Sequence, residues 1–200
     1  MAPLVAWSAW EPYDTITWWM EVAPVFLGFM ALFIAERRNW RLSNLALGLV
    51  AIHMILLLVG GHYTYARVPA GAWVSEILGL TRNHYDRLGH LAQGFVPAIL
   101  CREVFLRNQV VNGGWLGFCV FSFCLAFSAT YELIEWLAAI ISAEAAESFL
   151  GTQGDSWDTQ WDMFLAATGA LLALVSLSRI HDKSIHRLLA TSPWLRKEAA

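Results

Sequence analysis

The sequence predicts an all-α fold: a polytopic bundle of transmembrane helices with about five spans. Three observations predict it. Hydrophobic residues make up 58% of the 200 residues, more than a soluble domain of this size can cover with polar surface. Charged residues contribute only 14%, against about 25% in an ordinary soluble domain. The apolar residues also fall in long runs that are apolar on every side, as in spans, not in the one-sided stripes of surface helices. At this length the chain reads as a single membrane domain, residues 1–200.

Each span takes roughly 20 residues to cross a hydrocarbon core. The first runs from Trp18 to Ala35 and the second from Leu42 to Gly61. The third, 84–106, begins polar at His84 and turns apolar from Leu91 onward. The fourth runs from Trp115 to Ala139, and the fifth from Trp157 to Arg179, again with a polar start. The connections 36–41 and 107–114 are short. The segment 62–81 is longer and predicts a short interfacial helix near Trp73 to Leu80, and Ser142 to Leu150 predicts another. Gly151 to Gly154 makes a turn. Beyond Arg179 a basic tail, 180–200, mixes Ile185, Leu188 and Trp194 with cations and suits a helix lying on an anionic inner leaflet.

Orientation follows from the basic residues. With the 36–41 loop taken as cytoplasmic, five spans place ten lysines and arginines inside, including Arg37, Arg102, Arg107 and Lys183. Only Arg67, Arg82 and Arg87 fall outside. The N-terminus is therefore expected outside and the C-terminus in the cytoplasm.

Several function classes drop out. A net charge of −3 gives no reason to expect a nucleic-acid partner. Phosphate-binding and dinucleotide-binding glycine motifs are absent, as is a nucleophile elbow. Cys101, Cys119 and Cys124 lie in apolar runs without metal-type spacing and read as packing residues. The first residues carry no positive charge ahead of an apolar stretch, so no standard signal peptide is expected.

Ionisable residues at membrane depth are costly, and here they are not scattered. The third span opens Asn83-His-Tyr-Asp-Arg-Leu-Gly-His90, the fourth ends Tyr131-Glu-Leu-Ile-Glu-Trp136, and the fifth opens Asp155-Ser-Trp-Asp-Thr-Gln-Trp-Asp162. The topology brings all three to the outer end of the bundle. Helical spacing places Asp86 with His90, Asp158 with Asp162, and Glu132 with Glu135 on shared faces. Helix capping accounts for Asn83, Asp86, Asp155 and Asp158. It does not reach His90 or Asp162, which lie past the first turn. Nor does it explain Glu132 and Glu135, which sit at the unfavourable end of a helix dipole. A polar network that ties helices together explains these four as readily.

The chemical alternative is an acid–base or metal site. Carboxylates and imidazoles are the ligands of mixed oxygen and nitrogen sites. His90, Glu135 and Asp162, supported by Asp86 and Glu132, are the candidate catalytic residues. His90, Glu135, Asp158 and Asp162 are the candidate ligands of one divalent metal ion. Arg87 is a candidate partner for a substrate phosphate, and His62 and Tyr63 are candidates to cover the site. His53, alone in the second span, reads as a core residue. Arg102 is expected to snorkel to the inner headgroups, and His181 and His186 have no acidic cluster near them in the sequence.

Gly61-His-Tyr-Thr-Tyr65, Gln93-Gly-Phe-Val-Pro97 and Gly151-Thr-Gln-Gly-Asp155, together with the three polar motifs above, resemble the YjdF-type bacterial inner-membrane proteins. The resemblance runs from about Trp18 to Leu174. It implies a location in the bacterial cytoplasmic membrane and assigns no reaction. More loosely, the arrangement of acid, histidine, glutamate and aspartate resembles the VanZ-like envelope proteins.

Two function classes follow. One is a membrane-embedded hydrolase or transferase acting on a lipid-linked or envelope substrate. The other is a non-catalytic ion-binding, transport or envelope-assembly protein that uses the cluster as a polar clasp. Broken spans favour transport, whereas a pocket open sideways to lipid favours the enzyme.

Overall fold

The computed structural model describes residues 1–111, 113–141 and 152–191. Among them are seven α-helices, one short 3-10 helix and no strand. The helices are α1 (Ala2–Ala9), α2 (Thr15–Arg37), α3 (Asn44–Tyr63), α4 (Pro69–Leu78), α5 (Tyr85–Arg107), α6 (Trp115–Ile141) and α7 (Asp158–Thr191). The 3-10 turn Tyr65–Arg67 precedes α4. The interfacial helix expected at 142–150 lies outside the described residues, as does the end of the basic tail.

Helix starts follow local chemistry. Asp14 caps α2 by accepting the Thr17 backbone N–H at 2.7 Å. That bond holds its carboxyl below the usual range. Ser43 caps α3 by accepting from Ala46. Proline occupies the first turns of α1 and α4, where its missing N–H costs nothing. α1 is a departure from the sequence reading, which begins its first element at Trp18. It docks on α3 through Ser8, whose hydroxyl donates to the Leu58 carbonyl at 2.6 Å and accepts from the Trp18 indole at 2.9 Å.

Four helices, α2, α3, α6 and α7, are long and apolar enough to cross a membrane. Their outward faces expose large apolar side chains such as Phe33, Phe118 and Val175, which suits contact with lipid. α5 has the length of a span, 23 residues, yet is polar at both ends. Its position accounts for this. It packs against α3, α6 and above all α7, and carries more buried residues than any other described helix. A helix shielded by its neighbours does not meet lipid, so its composition need not be apolar.

The α5–α7 contact is made backbone to backbone. A methyl group on Gly94 would collide with the Ala166 carbonyl, and one on Gly169 with the Leu91 carbonyl. Ala98, Ala170 and Ala173 continue the seam and are fully buried. Small residues that let helices approach closely are the usual means of packing within a membrane.

α7 overturns one expectation. It is a single helix of 34 residues, about 51 Å at 1.5 Å per residue, and continues well past Arg179. The stretch up to Thr191 is therefore part of the bundle, with His181 and Ile185 buried, and not a separate surface helix.

Candidate functional site

At the end of the bundle where α5 and α7 begin, the two preceding loops are stitched together. Gln153 accepts the Asn83 backbone N–H at 2.9 Å and donates to the Asn83 carbonyl at 3.0 Å. Arg82 donates to the Thr152 carbonyl at 2.7 Å. Asn83 accepts the Tyr85 N–H, satisfying a free donor at the start of α5. Asp155 accepts from Trp157 in a turn, and α7 begins three residues after it. Asp155 thus does not stand at the helix cap that the sequence suggests.

Arg82 in the first loop and Arg87 in the first turn of α5 stand over a row of acids. Arg82 lies 2.6 Å from Asp158 and 3.2 Å from Asp86. Arg87 lies 2.8 Å from Asp155 and 3.1 Å from Asp158. One turn deeper, Asp162 is 3.7 Å from Arg87. His90 Nε2 stands 3.5 Å from Asp86 and 3.8 Å from Asp162, and its Nδ1 stands 3.8 Å from Glu132 on α6. The Gly94–Ala166 contact lies four residues beyond His90 on α5 and four beyond Asp162 on α7, which sets those two side chains at one level.

The deeper part of this cluster is unsaturated. His90 Nδ1, Glu132 Oε1, Asp162 Oδ1 and Arg87 Nη1 are buried without hydrogen-bond partners. Separations of 3.5–3.8 Å are too long for hydrogen bonds. Asp86, His90 and Asp162 nevertheless present three ligand atoms within 4.8 Å of one another. Metal–ligand bonds of roughly 2.0–2.2 Å would need only a small contraction of that triangle.

The residues singled out by sequence therefore fall into four places. Asp86, His90, Asp162 and Glu132 converge. Asp158 is gripped by two guanidiniums. Glu135 lies on the wall of an adjoining cavity that Asp86 and His90 also line. His62 and Tyr63 pack against Trp7 of α1, with the His62 ring 4.4 Å from it, and line no part of that cavity.

The cavity measures about 210 Å³ and is walled by α2, α3, α5 and α6. Near His90 it is edged by Glu21, Tyr65 and Tyr131, and deeper in the bundle by Val50, Leu100 and Phe127. Gly60 and Gly89 leave room for the Tyr65 ring, which a Cβ at either position would crowd. α2 packs on α3, while α2 and α6 flank the cavity without a substantial contact between them. Sequence reasoning passed over Glu21. Its signal was a single acid inside an otherwise apolar span.

A second polar cluster, also missed, occupies the opposite end of α5. Glu103 and His181 are fully buried. Glu103 accepts from the Ser43 N–H at 2.8 Å, the Ser43 hydroxyl at 2.6 Å, Arg107 at 3.0 Å and His181 Nε2 at 2.9 Å. Arg102 donates to His181 Nδ1 at 3.1 Å and pairs with Asp182 at 2.8 Å. A guanidinium has no acceptor, so Nδ1 is unprotonated and Nε2 carries the hydrogen that Glu103 receives. Arg107 also donates to the Arg41 carbonyl and stacks 4.0 Å over Trp40. Two expectations are corrected here: Arg102 is held inside the bundle, and His181 does have acidic neighbours.

Apolar helices around a charged, shielded central helix define a polytopic helical membrane protein. Over residues 1–183 the chain matches the family described as predicted membrane protein DUF2238, and it belongs to that family. It is 46% identical over 185 residues to the inner membrane protein YjdF of Escherichia coli strain K12, covering 92% of this chain and 88% of that protein. No solved structure matches it.

Proposed function

We propose that this protein crosses the bacterial inner membrane five times, with α5 as the third span, its N-terminus outside and its C-terminus in the cytoplasm. The ten-to-three division of basic residues supports that orientation. The clustering of Arg41, Arg102 and Arg107 at one end of the bundle agrees with it. The site around His90 then faces the periplasm.

At that site, Asp86, His90 and Asp162 hold one divalent metal ion, and the protein acts as a hydrolase or transferase on a lipid-linked or envelope substrate. The observation that carries this reading is the close grouping of three potential ligand atoms from Asp86, His90 and Asp162, the first two of which also line a cavity. A bound cation polarises a scissile ester or anhydride and lowers the pKa of its water. Glu132, beside His90, is placed to accept a proton, and Glu135 to deliver one from the cavity side. Arg87 Nη1 is buried with no hydrogen bond, its nearest acid being Asp162 at 3.7 Å, and could turn to a phosphate oxygen. α2 and α6 make no substantial contact, so entry between them is the sideways path for a lipid-borne substrate.

Metal analysis of the purified protein beside a His90→Ala variant tests this directly. About one equivalent of a transition metal or Mg²⁺ per wild-type chain, lost in the variant, is expected. Equal content in both proteins refutes the site. The short contacts of Arg82 and Arg87 with Asp155 and Asp158 favour a second reading, a non-catalytic clasp or ion site joining α5, α6 and α7. Metal-free wild-type protein of unchanged stability would select it.

A further inference from the structure

We propose that the cavity beside His90 binds an amphiphile with a protonated amine headgroup, and that Glu21 on α2 is the residue that recognises the charge. Three features lead there. Glu21 is 4% exposed, so it is shielded from water, and its Oε2 has no hydrogen-bond partner. It lines the cavity together with Asp86 and Glu135, so carboxylates from three helices edge one end of a single space. No lysine or arginine lines that space.

The shape of the cavity selects among cations. Its volume, about 210 Å³, exceeds the roughly 150 Å³ that admits a benzene ring in an apolar protein cavity. An inorganic ion at Glu21 would leave most of it unfilled. Beyond the carboxylates the walls are mostly apolar, formed by residues such as Val50, Leu57, Val96 and Phe127 and interrupted by His53 and Gln93. A plain hydrocarbon would fill those walls and leave Glu21 unmatched. Burying a charge without a partner is costly, whereas an ammonium donates up to three hydrogen bonds to such acids. Tyr65 and Tyr131 add ring faces at the same end. The occupant that meets both halves has a cationic head at the Glu21 end and a chain directed toward Leu100. With the orientation proposed above, that is the direction of a lipid in the outer leaflet. The inference takes from the proposed function the orientation and the sideways path, and needs no metal.

The test is a binding series on full-length protein in a neutral maltoside detergent, read by native mass spectrometry and calorimetry. The probes are dodecylamine at pH 7, dodecanol and dodecyl phosphate. Wild-type protein is expected to bind the amine at least tenfold more tightly than the alcohol, the order of one charge-assisted hydrogen bond. Glu21→Gln should remove that preference, and Gly28→Leu, which fills the cavity wall, should weaken amine and alcohol alike. Asp162→Ala, a proposed metal ligand that does not line the cavity, should lose metal and keep amine binding. A metal-free wild type that still prefers the amine would end the metalloenzyme reading and leave this one standing. Equal affinity for amine and alcohol, or a preference for the phosphate, overturns the proposal. The wild-type series alone separates these outcomes, without relying on a variant that folds.

Discussion

The two ends of α5 carry comparable inventories and opposite solutions. Each places at least one acid, a histidine and two arginines inside the bundle. At the Glu103 end the four hydrogen bonds to the carboxylate come from Ser43, Arg107 and His181, and no donor distance exceeds 3.0 Å. At the His90 end the nearest carboxylates stand 3.5–3.8 Å from the ring, and four polar atoms lack partners. A saturated cluster has no capacity left for a ligand and serves as a joint. A cluster whose polar atoms are incompletely paired carries a cost that a bound species would offset, which is the premise of the function proposed above.

The largest expected effect tests the joint. Glu103→Ala strands His181, Arg107 and the start of α3, and breaking a buried pair from one side costs about 3–5 kcal/mol. Unfolding in detergent by denaturant or heat measures it. A loss within about 1 kcal/mol, the scale of an exposed ion pair, would erase the distinction between the two ends. Next comes Asp158→Ala, which deprives Arg82 and Arg87 of a shared acceptor and should cost about 1–3 kcal/mol. That result would show that the rim of the His90 cluster is jointed even though its floor is not.

Asp14→Ala calibrates both. Its cap on α2 touches neither cluster and should contribute about 1 kcal/mol. Because the folded carboxyl titrates below its unfolded value, the contribution is complete above the unfolded value. It is lost as the pH falls through the folded one. A cap effect that persists well below the ordinary carboxylate range would contradict the assignment. The smallest expected effect is on the double variant His90→Leu/Asp162→Leu. Apolar replacement of an unsaturated buried pair should leave stability unchanged or slightly raised. Any bound metal and any activity should disappear with it. A double variant as unstable as Glu103→Ala would make the two ends alike.

Much of the His90 end is legible in the sequence because its residues recur at helical spacing on segments that open or close apolar runs. Asp86 with His90 and Asp158 with Asp162 announce a face by themselves. The Glu103 end gives no such signal. Glu103 meets His181 across 78 residues, and each stands beside basic residues that look like a membrane-surface flank. Recognising the pair requires knowing that α7 continues past Arg179. Glu21 escapes for the opposite reason, since a lone acid in a span has no periodic partner to mark it. Arg82 reads as one loop charge in an orientation count, and only the Gln153–Asn83 stitch brings it over Asp158. Gly94 and Gly169 pass as ordinary span glycines until the two backbones are seen to touch.

Those two glycines also divide the molecule mechanically. With carbonyls resting where side chains would be, α5 and α7 form a closely packed splint. α1 and α2 join the rest chiefly through α3, so they form the lighter and more weakly braced piece. On the sideways path proposed above, admission of a lipid-sized molecule between α2 and α6 falls to displacement of that piece. His90 and Asp162 keep their spacing meanwhile, because both are mounted on the splint.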